Sequence, residues 1–329
     1  MMDEGEQEGL LGKVDRWTRV ENTLARQALA EFLGTFVLIM IGNGAVAEVV
    51  LSSGTANNFF SINIAYGLAV AFGMYLSVGI SGGHLNPAIS VTFCCLGKLQ
   101  WRRLPAYLGA QYLGCLCGSA LVFGIYYDAL VHLDGGRRIT DPALPNATAG
   151  IWASYPQPHI SWQNGFVDQI FVTCFLMIVL LALLDEYNLA PPKGTAPIVI
   201  GLLVMAIGMS FGYNCGYPIN PARDLAPRIF TALAGWGDAP FSHRNYSWFW
   251  VPVVGPHFGA LLGAILYQSC IGSNWPPANE GKMESVTLEM DVQPRVTFVE
   301  NAAYERPRNG AKNVRSRTLR QGERYTHQS

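Results

Sequence analysis

Twice in this chain the triplet Asn-Pro-Ala opens an apolar segment too short to cross a bilayer. Asn86-Pro87-Ala88 begins a stretch that ends near Gly97, and Asn220-Pro221-Ala222 one that ends near Ala232, at an offset of 134 residues. At 1.5 Å per residue each would reach roughly 18 Å, about half of a hydrocarbon core. Asn is among the best helix N-caps, and Pro at the first helical position gives up an N–H that would be unpaired anyway. Each triplet therefore predicts a half-helix whose N-terminus carries a partial positive charge and free donors.

The surrounding chain places these half-helices in a membrane. Half of its 329 residues are apolar and only 14% are charged, against about 25% in soluble domains. Six segments, at 24–50, 59–79, 104–127, 166–184, 195–213 and 248–271, are predicted as spans. Gly114/Gly118, Gly208/Gly212 and Gly255/Gly259/Gly263 repeat at a spacing of four, which lets helix backbones approach closely. An acid in a span precedes each triplet: Glu31 by 55 residues and Asp168 by 52. Each half thus reads span, span, half-span, span. Three spans is an odd number, so the second copy is inverted relative to the first.

Basic residues orient the chain. Lys98, Arg102 and Arg103 follow the second span, Lys193 follows the fourth, and nine Lys and Arg lie after Ser273. With the N-terminus, these regions are expected on the cytoplasmic side; Arg137 and Arg138 in loop 128–163 run against the trend. Asn146 and Asn245 head glycosylation sequons on the expected outer side. The reading divides the chain into a polar N-terminal segment at 1–23 with no cleavable signal, a channel domain at 24–273 with halves at 24–127 and 164–272, and a disordered cytoplasmic tail at 274–329.

Other classes are disfavoured. The net charge of −1 argues against nucleic acid as a partner. The seven Cys read as buried small hydrophobes without zinc-ligand spacing, and no nucleophile–base pair is visible, so no metal, cofactor or enzymatic activity is expected.

The segments Ser81-Gly82-Gly83-His84-Leu85-Asn86-Pro87-Ala88 and Gly216-Tyr217-Pro218-Ile219-Asn220-Pro221-Ala222-Arg223-Asp224 resemble the aquaporin family, or major intrinsic proteins, over about residues 24–272. The resemblance implies an all-α, right-handed bundle of six transmembrane helices with two re-entrant half-helices, one pore per subunit, and a homotetramer. Asp224 directly after Arg223, and the stretch from there to Trp236-Gly237, resemble the aquaglyceroporin branch. The family's filter maps onto Tyr66, Gly208, Tyr217 and Arg223; water-only members carry His where this chain has Gly208, and glycerol channels usually carry Trp or Phe where it has Tyr66. Arg223 stands one helical turn past Asn220 and offers donors to two hydroxyls, while the two tyrosines offer a wall to C–H groups.

The backbone carbonyls of Gly83, His84 and Leu85, and of Asn214, Cys215, Gly216 and Tyr217, are expected to form an acceptor ladder. By the same resemblance Glu31 and Asp168 brace the re-entrant loops. His84 is expected to hold its loop, His257 is read as a core histidine or a pore-adjacent one, and Pro218 departs from the family pattern by removing a donor. The expectation is a passive channel in the cell membrane for glycerol, urea, other small neutral solutes and water that excludes protons and ions. A water-selective channel is opposed by Gly208 and Asp224. A secondary transporter is opposed by the lack of any acidic cluster beyond Glu31 and Asp168 in the spans.

Overall fold

A computed structural model of the chain describes residues 9–192 and 194–276. Lys193 and most of the expected tail lie outside the described residues. In chain order the helices are α1 (Leu10–Thr18), α2 (Thr23–Leu51), α3 (Phe59–Ser81), α4 (Pro87–Cys95), α5 (Leu104–Ile125), α6 (Tyr127–Asp134), α7 (Trp162–Leu184), α8 (Ala196–Phe211), α9 (Pro221–Thr231), α10 (Ala239–Ser242) and α11 (Val251–Cys270). No strand occurs among the described residues.

Five of these, α2, α3, α5, α7 and α11, are long and apolar enough to cross a membrane. The expected span at 195–213 is shorter than predicted. Its helix, α8, has 16 residues, about 24 Å. Pro197 sits in its first turn, and the helix ends at Gly212, where a Cβ would meet the ring atoms of Phe59 and Tyr217.

The packing repeats between halves. α2 packs on α3 and α5, and in the second half α7 packs on α8 and α11. The two half-helices are exchanged: α4 packs against α11, and α9 against α5. Each half therefore closes the other. The repeated glycines explain how the long helices come so close. A Cβ at Gly114 would collide with Thr35 and the Phe32 carbonyl of α2, and one at Gly259 with the Ile170 carbonyl of α7. Small residues let membrane helices touch backbone to backbone.

The polar N-terminal segment contains helix α1. Two expectations need correction. The loop at 128–163 begins with α6, which ends at Gly135 in the left-handed region (φ 63°). The reading of every cysteine as buried fails for Cys95 and Cys270, which are exposed. Just beyond α7, Asp185 accepts bonds from the Tyr187 backbone N–H, the Tyr267 hydroxyl and the Trp275 indole. The Tyr187 N–H first, then the two side-chain donors, hold its carboxyl below the usual range, and the three bonds close the end of the bundle.

Candidate functional site

The backbone leading into each half-helix is unwound. Before α4, Gly82, Gly83 and Leu85 have positive φ, and before α9 Gly216, Tyr217 and Ile219 do. Leu85 (φ 53°), Tyr217 (39°) and Ile219 (38°) lack glycine's freedom, and such residues persist in the left-handed region only where surroundings over-determine them. Those surroundings are hydrogen bonds from buried side chains.

Glu31, wholly buried in α2, carries the first loop. One carboxylate oxygen accepts from the His84 backbone N–H at 2.9 Å and the Ser81 hydroxyl at 2.5 Å. The other accepts from the Leu85 N–H and the Gln111 amide, both at 2.8 Å. A carboxylate that accepts from four donors is fixed in place, and it fixes the loop in turn.

In the second half the expected brace, Asp168, does not hold the loop's backbone. It accepts from the Asn214 side chain at 2.8 Å and from Gln169 at 3.0 Å. The backbone bond, from the Ile219 N–H at 3.0 Å, goes instead to the Gln169 side chain, wholly buried one position along. One residue turns a helix face by about 100°, so Asp168 lies to one side of the place that Gln169 fills. An amide beside the acid, rather than the acid itself, holds the loop's backbone.

The two half-helices meet through their Asn caps. Asn86 Oδ1 accepts from the Ala88 N–H at 2.9 Å while its Nδ2 donates to the Ile219 carbonyl at 2.9 Å. Asn220 Oδ1 accepts from Ala222 and Arg223 N–H, and its Nδ2 donates to the Leu85 carbonyl at 2.7 Å. Each cap thus locks the loop of the opposite half. Each amide keeps a second hydrogen, and both Asn line one cavity.

The cavity lining combines the Gly83–Asn86 and Tyr217–Asn220 segments and Arg223 with aliphatic side chains, among them Val70, Leu176, Leu180 and Val204. Of the expected carbonyl ladder, Gly83, His84, Leu85 and Tyr217 lie on the cavity; Asn214, Cys215 and Gly216 precede the stretch that lines it.

Three of the four expected filter residues come together. The Arg223 guanidinium lies 4.8 Å from the centre of the Tyr66 ring, and the Tyr66 and Tyr217 rings meet edge to face at 6.3 Å. Arg223 Nη1 donates to the Trp152 carbonyl at 3.3 Å. The Tyr66 hydroxyl donates to Asn43 Oδ1 at 2.7 Å. Gly208 stands behind this set. A Cβ there would lie 2.5 Å from Tyr217 Cζ and from Asn63 Oδ1. The room that Gly208 leaves is therefore taken up by the Tyr217 phenol, so its influence on the slot passes through that ring.

Asp224 proves to be a structural pivot. It is wholly buried, with Oδ1 accepting from Arg228 Nε and Nη2 and Oδ2 from the Ser154 N–H and hydroxyl. Arg228 in turn donates to the Ser154 and Pro240 carbonyls. The pair fixes the 152–154 segment, and with it the Trp152 carbonyl that holds Arg223. Nothing local in the sequence signals Asn43, Asn63, Trp152 or Ser154, because they reach the site only through tertiary packing.

Both histidines are engaged. His84 sits between Phe93 and Tyr107, with Nδ1 3.0 Å from the Ser90 hydroxyl. His257 Nδ1 donates to the Val253 carbonyl of its own helix at 2.8 Å. Of the sequons, Asn146 is half-buried and Asn245 exposed.

Comparison with known proteins agrees with this geometry. Residues 17–267 match the family called Major intrinsic protein. The chain is 59% identical to aquaporin-10 of Milnesium tardigradum over 283 residues, 83% of this chain and 69% of that protein. It is 47% identical to aquaporin-9 of Homo sapiens, covering 78% of this chain and 86% of that one, and 45% identical to human aquaporin-10, covering 82% and 89%. The crystal structure of the aquaglyceroporin from Plasmodium falciparum is similar with a TM-score of 0.68 and 31% identity, over 75% of this chain and 97% of that one.

Proposed function

We propose, since this chain belongs to the major intrinsic protein family, that Tyr66, Tyr217 and Arg223 form the filter of its pore, with Gly208 making room for the Tyr217 ring. The protein is a multi-pass membrane channel of the aquaglyceroporin type, and it passes glycerol, small neutral solutes and water passively rather than catalysing a reaction. A polyol has a hydroxyl edge and a C–H edge. The lining supports a reading in which hydroxyls take the Arg223 donors and the loop carbonyls while the C–H edge slides along the tyrosines and the aliphatic side chains.

Proton exclusion follows from the crossed Asn caps, the observation that carries the pore reading. Both helix N-termini reach the cavity through Asn86 and Asn220, and each cap amide has a second hydrogen to offer. A cation meets a positive barrier there, and a water molecule turns its oxygen to both amides, which breaks a proton relay.

Urea is included among the solutes, being small, neutral and rich in both donors and acceptors. The functional assembly is read as a homotetramer with both termini cytoplasmic, the channel domain as residues 24–273, the tail as disordered, and Asn146 and Asn245 as candidate glycosylation sites. Stopped-flow swelling of proteoliposomes under glycerol, urea and sucrose gradients tests the reading. Glycerol and water flux without proton leak are expected; water flux alone would reject the solute assignment.

A further inference from the structure

The segment before the first span reads as polar, yet its helix α1 is sharply two-sided. At 100° per residue Trp17, Leu10, Val14 and Leu11 fall within about 120° of arc, and Lys13, Asp15 and Arg16 take the other side. The apolar arc is not turned into the protein: Leu10 is 78%, Leu11 83% and Trp17 89% exposed. Four large apolar side chains left in water are unfavourable, so their position relative to the membrane decides what covers them.

That position is tightly bounded. Only Arg19–Asn22 separate α1 from α2, and four residues reach at most about 14 Å. The 29 residues of α2 measure roughly 44 Å, more than a hydrocarbon core of about 30 Å, so its ends stand among the headgroups. Helix α1 is therefore tethered at the membrane surface. The helix with its C-cap, residues 10–19, carries Lys13, Arg16 and Arg19 against Asp15, while Asp3, Glu4, Glu6 and Glu8 precede it. Lys13 borders the apolar arc beside Trp17, a residue favoured at membrane interfaces.

We propose that α1 is an interfacial anchor that lies in the plane of the bilayer, with Trp17, Leu10, Leu11 and Val14 sunk at the headgroup–acyl boundary and its basic residues facing anionic lipid headgroups. The surface belongs to the membrane in which the channel itself sits. The anchor fixes the approach to α2 and takes no part in conduction.

The test reconstitutes the full-length channel in vesicles of mixed phosphatidylcholine and phosphatidylserine whose acyl chains are brominated near the headgroup. Subtracting the emission of Trp17→Phe cancels the other tryptophans. The expected result is loss of roughly half or more of the Trp17 emission relative to unbrominated vesicles. In pure phosphatidylcholine the loss is expected to be smaller. A Leu10→Asp/Leu11→Asp/Val14→Asp variant is expected to abolish the quenching while glycerol flux per channel is unchanged, which shows the bundle intact. Absence of Trp17 quenching overturns the proposal. So does Trp17 emission that is blue-shifted in detergent and indifferent to brominated lipid, the result if a second copy covers the face. Equal quenching with and without phosphatidylserine overturns the headgroup assignment.

Discussion

The two halves of the bundle make the same turn with different chemistry. In the first, a buried carboxylate takes two backbone N–H groups, a hydroxyl and an amide. In the second, a neutral amide takes a single backbone N–H, and the nearby acid is turned aside to the Asn214 side chain. Charge-assisted hydrogen bonds are roughly twice as strong as neutral ones. The first loop is thus firmly clamped, while the second, which carries Tyr217 and leads into Arg223, leans on a second support: the Asp224–Arg228 pair and the segment around Ser154. The symmetry of an inverted repeat lies in its backbone and its caps, and the bracing side chains can drift as long as every buried donor finds an acceptor.

The sharpest way to break the comparison is Glu31→Gln. The amide keeps the shape, but its NH₂ group would face donors that now meet a carboxylate. At about 1–3 kcal/mol for each buried group left unpaired, a loss of about 3 kcal/mol or more is expected, seen as a large fall in melting temperature and in folded yield. A variant as stable as the parent would show that the four bonds are dispensable.

Gln169→Glu reverses the asymmetry with a smaller effect. It sets a buried carboxylate beside the half-buried Asp168, and two neighbouring acids disfavour each other's charge. A loss of about 1–2 kcal/mol is expected, recovered in Gln169→Glu/Asp168→Asn, which would give the second half the clamp of the first. Failure of the second change to rescue the first, in thermal melts of both purified variants, would mean that Asp168 is not the reason an amide stands at 169.

The tyrosines extend the contrast to the filter. Tyr66 gives its hydroxyl to Asn43, whereas the buried Tyr217 hydroxyl has no partner among the described residues. Tyr66→Phe strands the Asn43 carbonyl and is expected to cost about 1–3 kcal/mol, while Tyr217→Phe is expected to be near neutral. Equal melting temperatures for the two variants would erase the distinction.

Much of this was legible in the sequence because it is local. An Asn-Pro-Ala at the head of a short apolar segment states its own cap, start and length, and its repetition states the inversion. The glycine pairs on α5 and α11 likewise foretold close helix contacts, found at Gly114 and Gly259. What stayed hidden depends on direction or on distance in the chain. Asp168 and Gln169 are adjacent, and a span of 23 residues gives no cue to which of them faces the loop. Trp152, Ser154 and Asn43 reach Arg223, Asp224 and Tyr66 across 71, 70 and 23 residues. Helix α1 is hard to read because its charges dilute a periodicity only nine residues long.

The central claim is that solutes are chosen in the slot of Tyr66, Tyr217 and Arg223, and that Gly208 shapes this slot through the Tyr217 ring. Gly208→His tests it most directly. An imidazole at 208 cannot share space with the Tyr217 phenol and would push that ring into the passage, where glycerol is wider than water. The measurement is the ratio of glycerol to water permeability in proteoliposomes containing equal amounts of folded channel. The account predicts a fall of about tenfold or more, the scale on which a pocket rejects one added methylene, with water flux largely kept. An unchanged ratio, or glycerol and water fluxes that fall together, would contradict it.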